Sequence, residues 1–95
     1  MSIVVIMEWD DVVPNESQYW AITDKIGARE RLPEGCEYHA VGIDPGKSVR
    51  TCEVWESEEA HGRFMEQVGP FFQEVGVPQP SKVTVLPLLR HLGSK

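Results

Sequence analysis

Ninety-five residues, 41% of them hydrophobic and 25% charged, suffice for a single domain spanning 1–95 with a small core. The formal charge of -6 argues against a nucleic-acid or anionic-membrane surface, because either needs a basic patch. No apolar run approaches the length of a membrane span, and the two cysteines, Cys36 and Cys52, read as free buried thiols of a cytoplasmic protein.

Residues 3–9 are apolar at both parities, with Ile3, Val5, Met7 and Trp9 on one face and Val4 and Ile6 on the other. That pattern predicts a central strand covered on both sides. Glu8 falls on the Val4/Ile6 face. After Val12-Val13-Pro14, Asn15 is placed to cap a helix over about 15–26, with Gln18 in capping-box position. Tyr19, Ile22 and Ile26 form its apolar stripe, Trp20 stands beside them, and Gly27 suits its end. Leu32-Pro33-Glu34-Gly35 has the chemistry of a turn.

Strands at about 36–43 and 48–56 flank Asp44-Pro45-Gly46-Lys47 and read as a hairpin. Pairing Ile43 with Ser48 sets Val41 opposite Arg50, His39 opposite Cys52 and Glu37 opposite Val54. Tyr38, Glu53 and Trp55 then share the other face, and the two cysteines point apart. Ser57 caps a second helix with Glu58 and Glu59 in its first turn. Ala60, Phe64, Val68, Phe71 and Val75 give it a buried stripe, flanked by His61, Met65 and Phe72. Pro70 predicts a kink or a fresh helix start, and Gly76-Val77-Pro78 a stop. A last strand over about 82–90 contains Pro87, which suits an edge or a bend, and the tail carries Leu88, Leu89 and Leu92.

The order βαββαβ with right-handed crossovers implies an α+β, ferredoxin-like fold: a four-stranded antiparallel sheet in order 4-1-3-2 with both helices on one face. Strand one is apolar on its second face too, so that face needs a cover. The same face of another copy would supply it, making a homodimeric α/β barrel.

Gly35-Cys-Glu-Tyr-His-Ala-Val-Gly42, Val54-Trp-Glu-Ser-Glu-Glu-Ala60, Phe64 and Gly76-Val-Pro-Gln-Pro80 resemble the antibiotic-biosynthesis monooxygenase-like superfamily of dimeric α/β-barrel proteins, and among them a branch of short bacterial chains. The resemblance covers nearly the whole chain. It implies a ligand cleft between helices and sheet, a small apolar or aromatic ligand, and chemistry without a bound cofactor. The activities it implies are monooxygenation of an aromatic or polyketide-type substrate, or cyclisation or isomerisation in secondary metabolism. A non-catalytic ligand-binding or stress-related protein is the alternative. Haem-degrading members keep a Trp on helix two followed by a His. This chain has Phe64 where that Trp falls and no His beyond His61 on that helix, which argues against haem chemistry.

Three residues are candidates for catalysis. His39, mid-strand among apolar neighbours, suits a general base, or else a core histidine held by a backbone carbonyl. Glu8 suits a second acid–base group, or a solvated strand end. Arg50 suits an oxyanion partner. Trp9 and Trp20 are candidates for stacking on a flat ligand, Phe64 and Phe72 for walls of the cleft, and His61 with Met65 for its mouth; packing is the competing role for the aromatic residues, and an exposed helix surface for His61. His39, His61 and His91 lie on different elements, so no metal site is expected.

Overall fold

A computed structural model describes residues 1–10, 12–43 and 48–92. The elements are β1 (Ile3–Glu8), α1 (Glu16–Lys25), β2 (Cys36–Ile43), β3 (Val49–Trp55), α2 (Glu58–Val75) and β4 (Lys82–Pro87). The sheet runs β2-β3-β1-β4 and every neighbouring pair is antiparallel, the expected ferredoxin-like order.

β1 is central in the sheet, as its sequence predicts, but within the chain only one of its two apolar faces is fully buried. Ile3, Val5 and Met7 are buried, and Trp9 continues that face beyond the strand. These side chains meet Ile22 of α1 and Ala60, Val68 and Phe72 of α2 in one core, which places both helices on this side of the sheet.

Both helices begin where their caps dictate. The Asn15 side chain accepts from the Gln18 N–H, and the Gln18 side chain accepts from the Asn15 N–H, each at 2.9 Å. The Ser57 hydroxyl accepts from the Ala60 N–H at 3.1 Å, with Glu58 and Glu59 in the favoured first turn. α2 ends at Gly76 in the left-handed region (φ 83°). There the Val77 N–H reaches the Phe72 carbonyl at 2.8 Å, satisfying one of the helix's last acceptors. No fresh helix starts at Pro70: α2 is continuous from Glu58 to Val75. Pro70 and Glu66 are both exposed, so the Glu66 carbonyl that Pro70 cannot pair faces water rather than core.

The hairpin register differs from the sequence expectation by one residue. Ile43 pairs with Val49, Val41 with Thr51, Ala40 with Cys52 and His39 with Glu53, and a bulge between Cys36 and Tyr38 restores Cys36 to Trp55. Because side chains alternate across a sheet, this slip exchanges the whole set of partners. His39 leaves Arg50 and Cys52 and joins Val49, Thr51, Glu53 and Trp55 on the helix side. The expected turn at Asp44–Lys47 lies outside the described residues. The cysteines do point apart, but only Cys36 is buried; Cys52 is exposed on the open face, and both are free.

That open face carries Tyr38, Cys52, Ile6 and Leu86, with Tyr38 and Leu86 well exposed. The segment after β4 turns onto it. The Leu88 N–H bonds the Ser2 carbonyl at 3.0 Å, and the His91 ring lies 5.0 Å from that of Tyr38. Leu89 and Leu92 remain exposed. Among the described residues no helix is long and apolar enough to cross a membrane.

Candidate functional site

Between the helices and the sheet lies a cavity of about 100 Å³. That is smaller than the roughly 150 Å³ apolar cavity that takes benzene, so it admits at most one ring, with the rest of a larger molecule at its opening. Its floor is the helix-side face of the sheet, with Met7, Val49, Thr51 and Glu53, and Trp9 beyond the end of β1. Tyr19 and Ile22 of α1, Ile26 just past its end, and Phe64, Val68 and Phe72 of α2 form the roof. Exposed Arg31 and Leu32, on the α1–β2 connector, mark where it opens to solvent.

One wall of this otherwise apolar space is a chain of hydrogen bonds. The Tyr19 hydroxyl lies 2.7 Å from Nε2 of His39, and Nδ1 of His39 lies 2.8 Å from Oε2 of Glu53. The indole N–H of Trp55 donates to the other Glu53 oxygen at 2.9 Å. Each link comes from a different feature of the fold. α1 carries Tyr19 over β2, and the Tyr19 and His39 rings stack with an interplanar angle of 9°. The β2–β3 register sets His39 beside Glu53. Trp55 stands two residues along the same face of β3 and is fully buried.

The roles follow from donor and acceptor chemistry. A carboxylate at Nδ1 keeps the proton on Nδ1, so Nε2 accepts from the phenol. Burial raises the Tyr19 pKa above its ordinary value, the nearby Thr23 hydroxyl opposes that rise, and the Glu53 charge adds to it. Tyr19 is therefore a neutral proton donor at physiological pH. Glu53 is itself buried, at 4% exposure, and both its oxygens accept hydrogen bonds. Two donors in a dry site make its burial tolerable. Thr51, two positions along the same face, is also buried, and among the described residues its hydroxyl has no partner.

Of the sequence candidates, His39, Trp9, Phe64 and Phe72 line the cavity. Glu8 and Arg50 are separated from His39. Glu8 keeps to the Val4/Ile6 face opposite Lys82, and Arg50 pairs with Gly42 on that same open face, so the expected trio does not assemble. Trp20 sits outside the cavity, where its ring packs under the Arg29 guanidinium at 4.4 Å and its N–H reaches Glu16 at 3.3 Å. His61 and Met65 are not in the wall either. His61 meets the Trp55 ring edgewise at 5.3 Å, and burial lowers its pKa against the pull of Glu53.

Tyr19 and Glu53 are the site residues that the sequence reading passed over. Tyr19 looked like one member of an apolar stripe, and Glu53 was set on the wrong side of the sheet. The available signal was the run Val49-x-Thr51-x-Glu53-x-Trp55: a strand face that is apolar at both ends holds a carboxylate in its middle only if something pairs with it. Cys36 offers no nucleophile. Burial, then the Glu53 charge, pushes its thiol up to about 11. Among the described residues no group of three or more His, Cys, Asp and Glu is placed to hold a metal ion.

No protein-family model and no curated protein matches the sequence. Solved structures do match. Rv0793 from Mycobacterium tuberculosis superposes with a TM-score of 0.68 at 20% identity, covering 98% of this chain and 100% of that one. A protein from Chloroflexus aurantiacus J-10-fl, carrying a proposed antibiotic biosynthesis monooxygenase assignment, gives 0.61 at 18% identity, covering 96% and 97%. A mutant of SnoaB from Streptomyces nogalater, described as a cofactor-independent oxygenase, gives 0.58 at 13% identity, covering 98% and 96%. Across essentially its whole length, this chain has the fold of the antibiotic biosynthesis monooxygenase-like proteins.

Proposed function

We propose that the protein binds a small, largely apolar phenol or enol in this cavity and removes its acidic proton through the Tyr19–His39–Glu53 chain. The observation that carries this reading is the 2.7 Å and 2.8 Å pair of bonds that threads His39 between a phenol and a buried carboxylate at the cavity wall. The ligand's proton passes to the Tyr19 oxygen as the Tyr19 proton passes to Nε2 of His39. The imidazolium that forms is stabilised by Glu53, which is already in place. The Trp55 N–H holds Glu53, so the charge needs no reorganisation.

The leading outcome for the resulting electron-rich anion is attack by dioxygen. One oxygen atom enters the ring at the carbon that loses hydrogen, the other leaves as water, and the phenol becomes a quinone. The balance needs only substrate and dioxygen, which suits a site of this kind acting without a resident cofactor. A second reading is proton return to another carbon, an isomerisation or cyclisation. It is favoured by a neutral Tyr19, which serves as acid as well as relay.

An oxygen electrode and product mass spectrometry on a naphthol or a one-ring phenol separate these. Enzyme-dependent dioxygen uptake with a product two hydrogens lighter and one oxygen heavier supports oxygenation. Solvent deuterium entering carbon without dioxygen uptake supports isomerisation. Binding with neither leaves a ligand carrier and defeats the catalytic reading.

The homodimer belongs to the same proposal. Exposed Tyr38 and Leu86, together with Ile6 at the centre of the open face, give a second copy an apolar surface to cover. Sedimentation showing a stable monomer at micromolar concentration would count against it.

A further inference from the structure

Resting on the reading of this cavity as a ligand site, we infer that its ligand is an anion: a small ring bearing a carboxylate at one end and a hydroxyl or carbonyl at the other. Two observations, independent of the proton chain, point to the two ends.

The first is Arg31. It lines the cavity and is exposed at its opening. Among the described residues no hydrogen bond or ion pair engages it. Arg29, two positions earlier, shows what a structural arginine does in the same connector. It grips Asp24 through two nitrogens at 2.7 and 2.9 Å and stacks over Trp20. Arg31 has no such duty, and it stands at the mouth of an apolar hole in a protein of net charge -6. Guanidinium groups match carboxylates bidentately, and a carboxylate that enters an acidic protein needs such a partner.

The second is Thr51. Its hydroxyl is buried on the cavity floor at 6% residue exposure and has no partner among the described residues. Leaving a buried hydroxyl unsatisfied is costly, so its presence calls for a polar atom that arrives with the ligand. Thr51 and Glu53 share a strand face roughly 7 Å apart. A ligand oxygen on Thr51 therefore keeps the neighbouring acidic position within reach of Tyr19 and His39. Apolar walls between these polar ends take the ring.

The test is calorimetric binding of a matched pair, para-hydroxyphenylacetate and its neutral amide, to the full chain and to the Arg31→Gln and Thr51→Val variants. The acid should bind the wild type about tenfold tighter than the amide, and high ionic strength should erode that preference. Arg31→Gln, at an exposed position, should abolish the preference by weakening the acid far more than the amide. Thr51→Val should weaken both probes equally. Equal binding of acid and amide to the wild type, or a preference that survives Arg31→Gln, overturns the anion inference and leaves the proton-transfer reading intact. If neither probe binds, both this inference and the cavity reading fall.

Discussion

His39 Nδ1 lies 2.8 Å from Glu53 Oε2, across a β2–β3 register that makes these two residues direct partners. The pair is buried deepest on the glutamate side, with 5% side-chain exposure for Glu53 and 26% for His39. Glu53 is thus the fixed member, and His39 presents its free edge to Tyr19 and the cavity.

Glu53→Gln tests that arrangement. The amide keeps the shape and can still accept from Trp55, but its N–H₂ faces Nδ1 and forces the His39 proton onto Nε2. Nε2 can then no longer accept from Tyr19. Turnover should fall by about 10²–10⁴ with KM little changed, and nitrogen NMR should report the exchanged tautomer. An unchanged kcat would remove His39 from the reaction.

Tyr19→Phe removes the 2.7 Å bond and the relay. Since burial raises the Tyr19 pKa from 10.0, folding favours its neutral form. The corresponding stability is complete below pH 10 and is lost as pH rises through the folded value. Wild type should therefore destabilise more steeply than Tyr19→Phe in strongly alkaline buffer. Phenolate absorbance should show one late-ionising tyrosine that the variant lacks. Parallel alkaline unfolding of the two proteins would contradict the assignment.

His61 shifts the other way. Burial lowers its pKa from 6.5, with Glu53 opposing, so the unfolded chain takes up this proton more readily than the folded one. The associated stability is present above pH 6.5 and is lost as pH falls through the folded value. His61→Phe should keep the edge-on contact with Trp55 and reduce the loss of Tm on acidification. Identical acid profiles for both proteins would show that His61 titrates normally.

Gly35 joins the α1–β2 connector to the sheet at φ 85°, and a Cβ there would sit 2.8 Å from the Ala60 Cβ. Its carbonyl also accepts the Glu56 N–H at 2.9 Å, so the backbone has little room to yield. Gly35→Ala should cost about 1–3 kcal/mol, measurable by urea unfolding. Ala60→Gly in the Gly35→Ala background should recover the steric part but not the backbone strain.

By itself the sequence determined the element order, both helix caps and the central place of β1, because each depends on neighbours within a few residues. Asn15 needs only Gln18, Ser57 needs only Ala60, and β1 needs only its apolar residues at both parities. His39 and Trp9 were recognisable as site candidates for the same reason: a polar or bulky side chain at an apolar position stands out locally. The grouping around His39 was decided by tertiary structure alone. Past the bulge at the start of β2 the hairpin register differs by one residue from the expected one, which brings Glu53 to His39 and leaves Arg50 on the far face with Glu8. Local periodicity cannot register such a slip, because either pairing leaves both strands alternating equally well. The cost of burying Glu53 selects between them: only this register gives its oxygens His39 as well as Trp55, and only the packing of α1 brings Tyr19 to complete the chain.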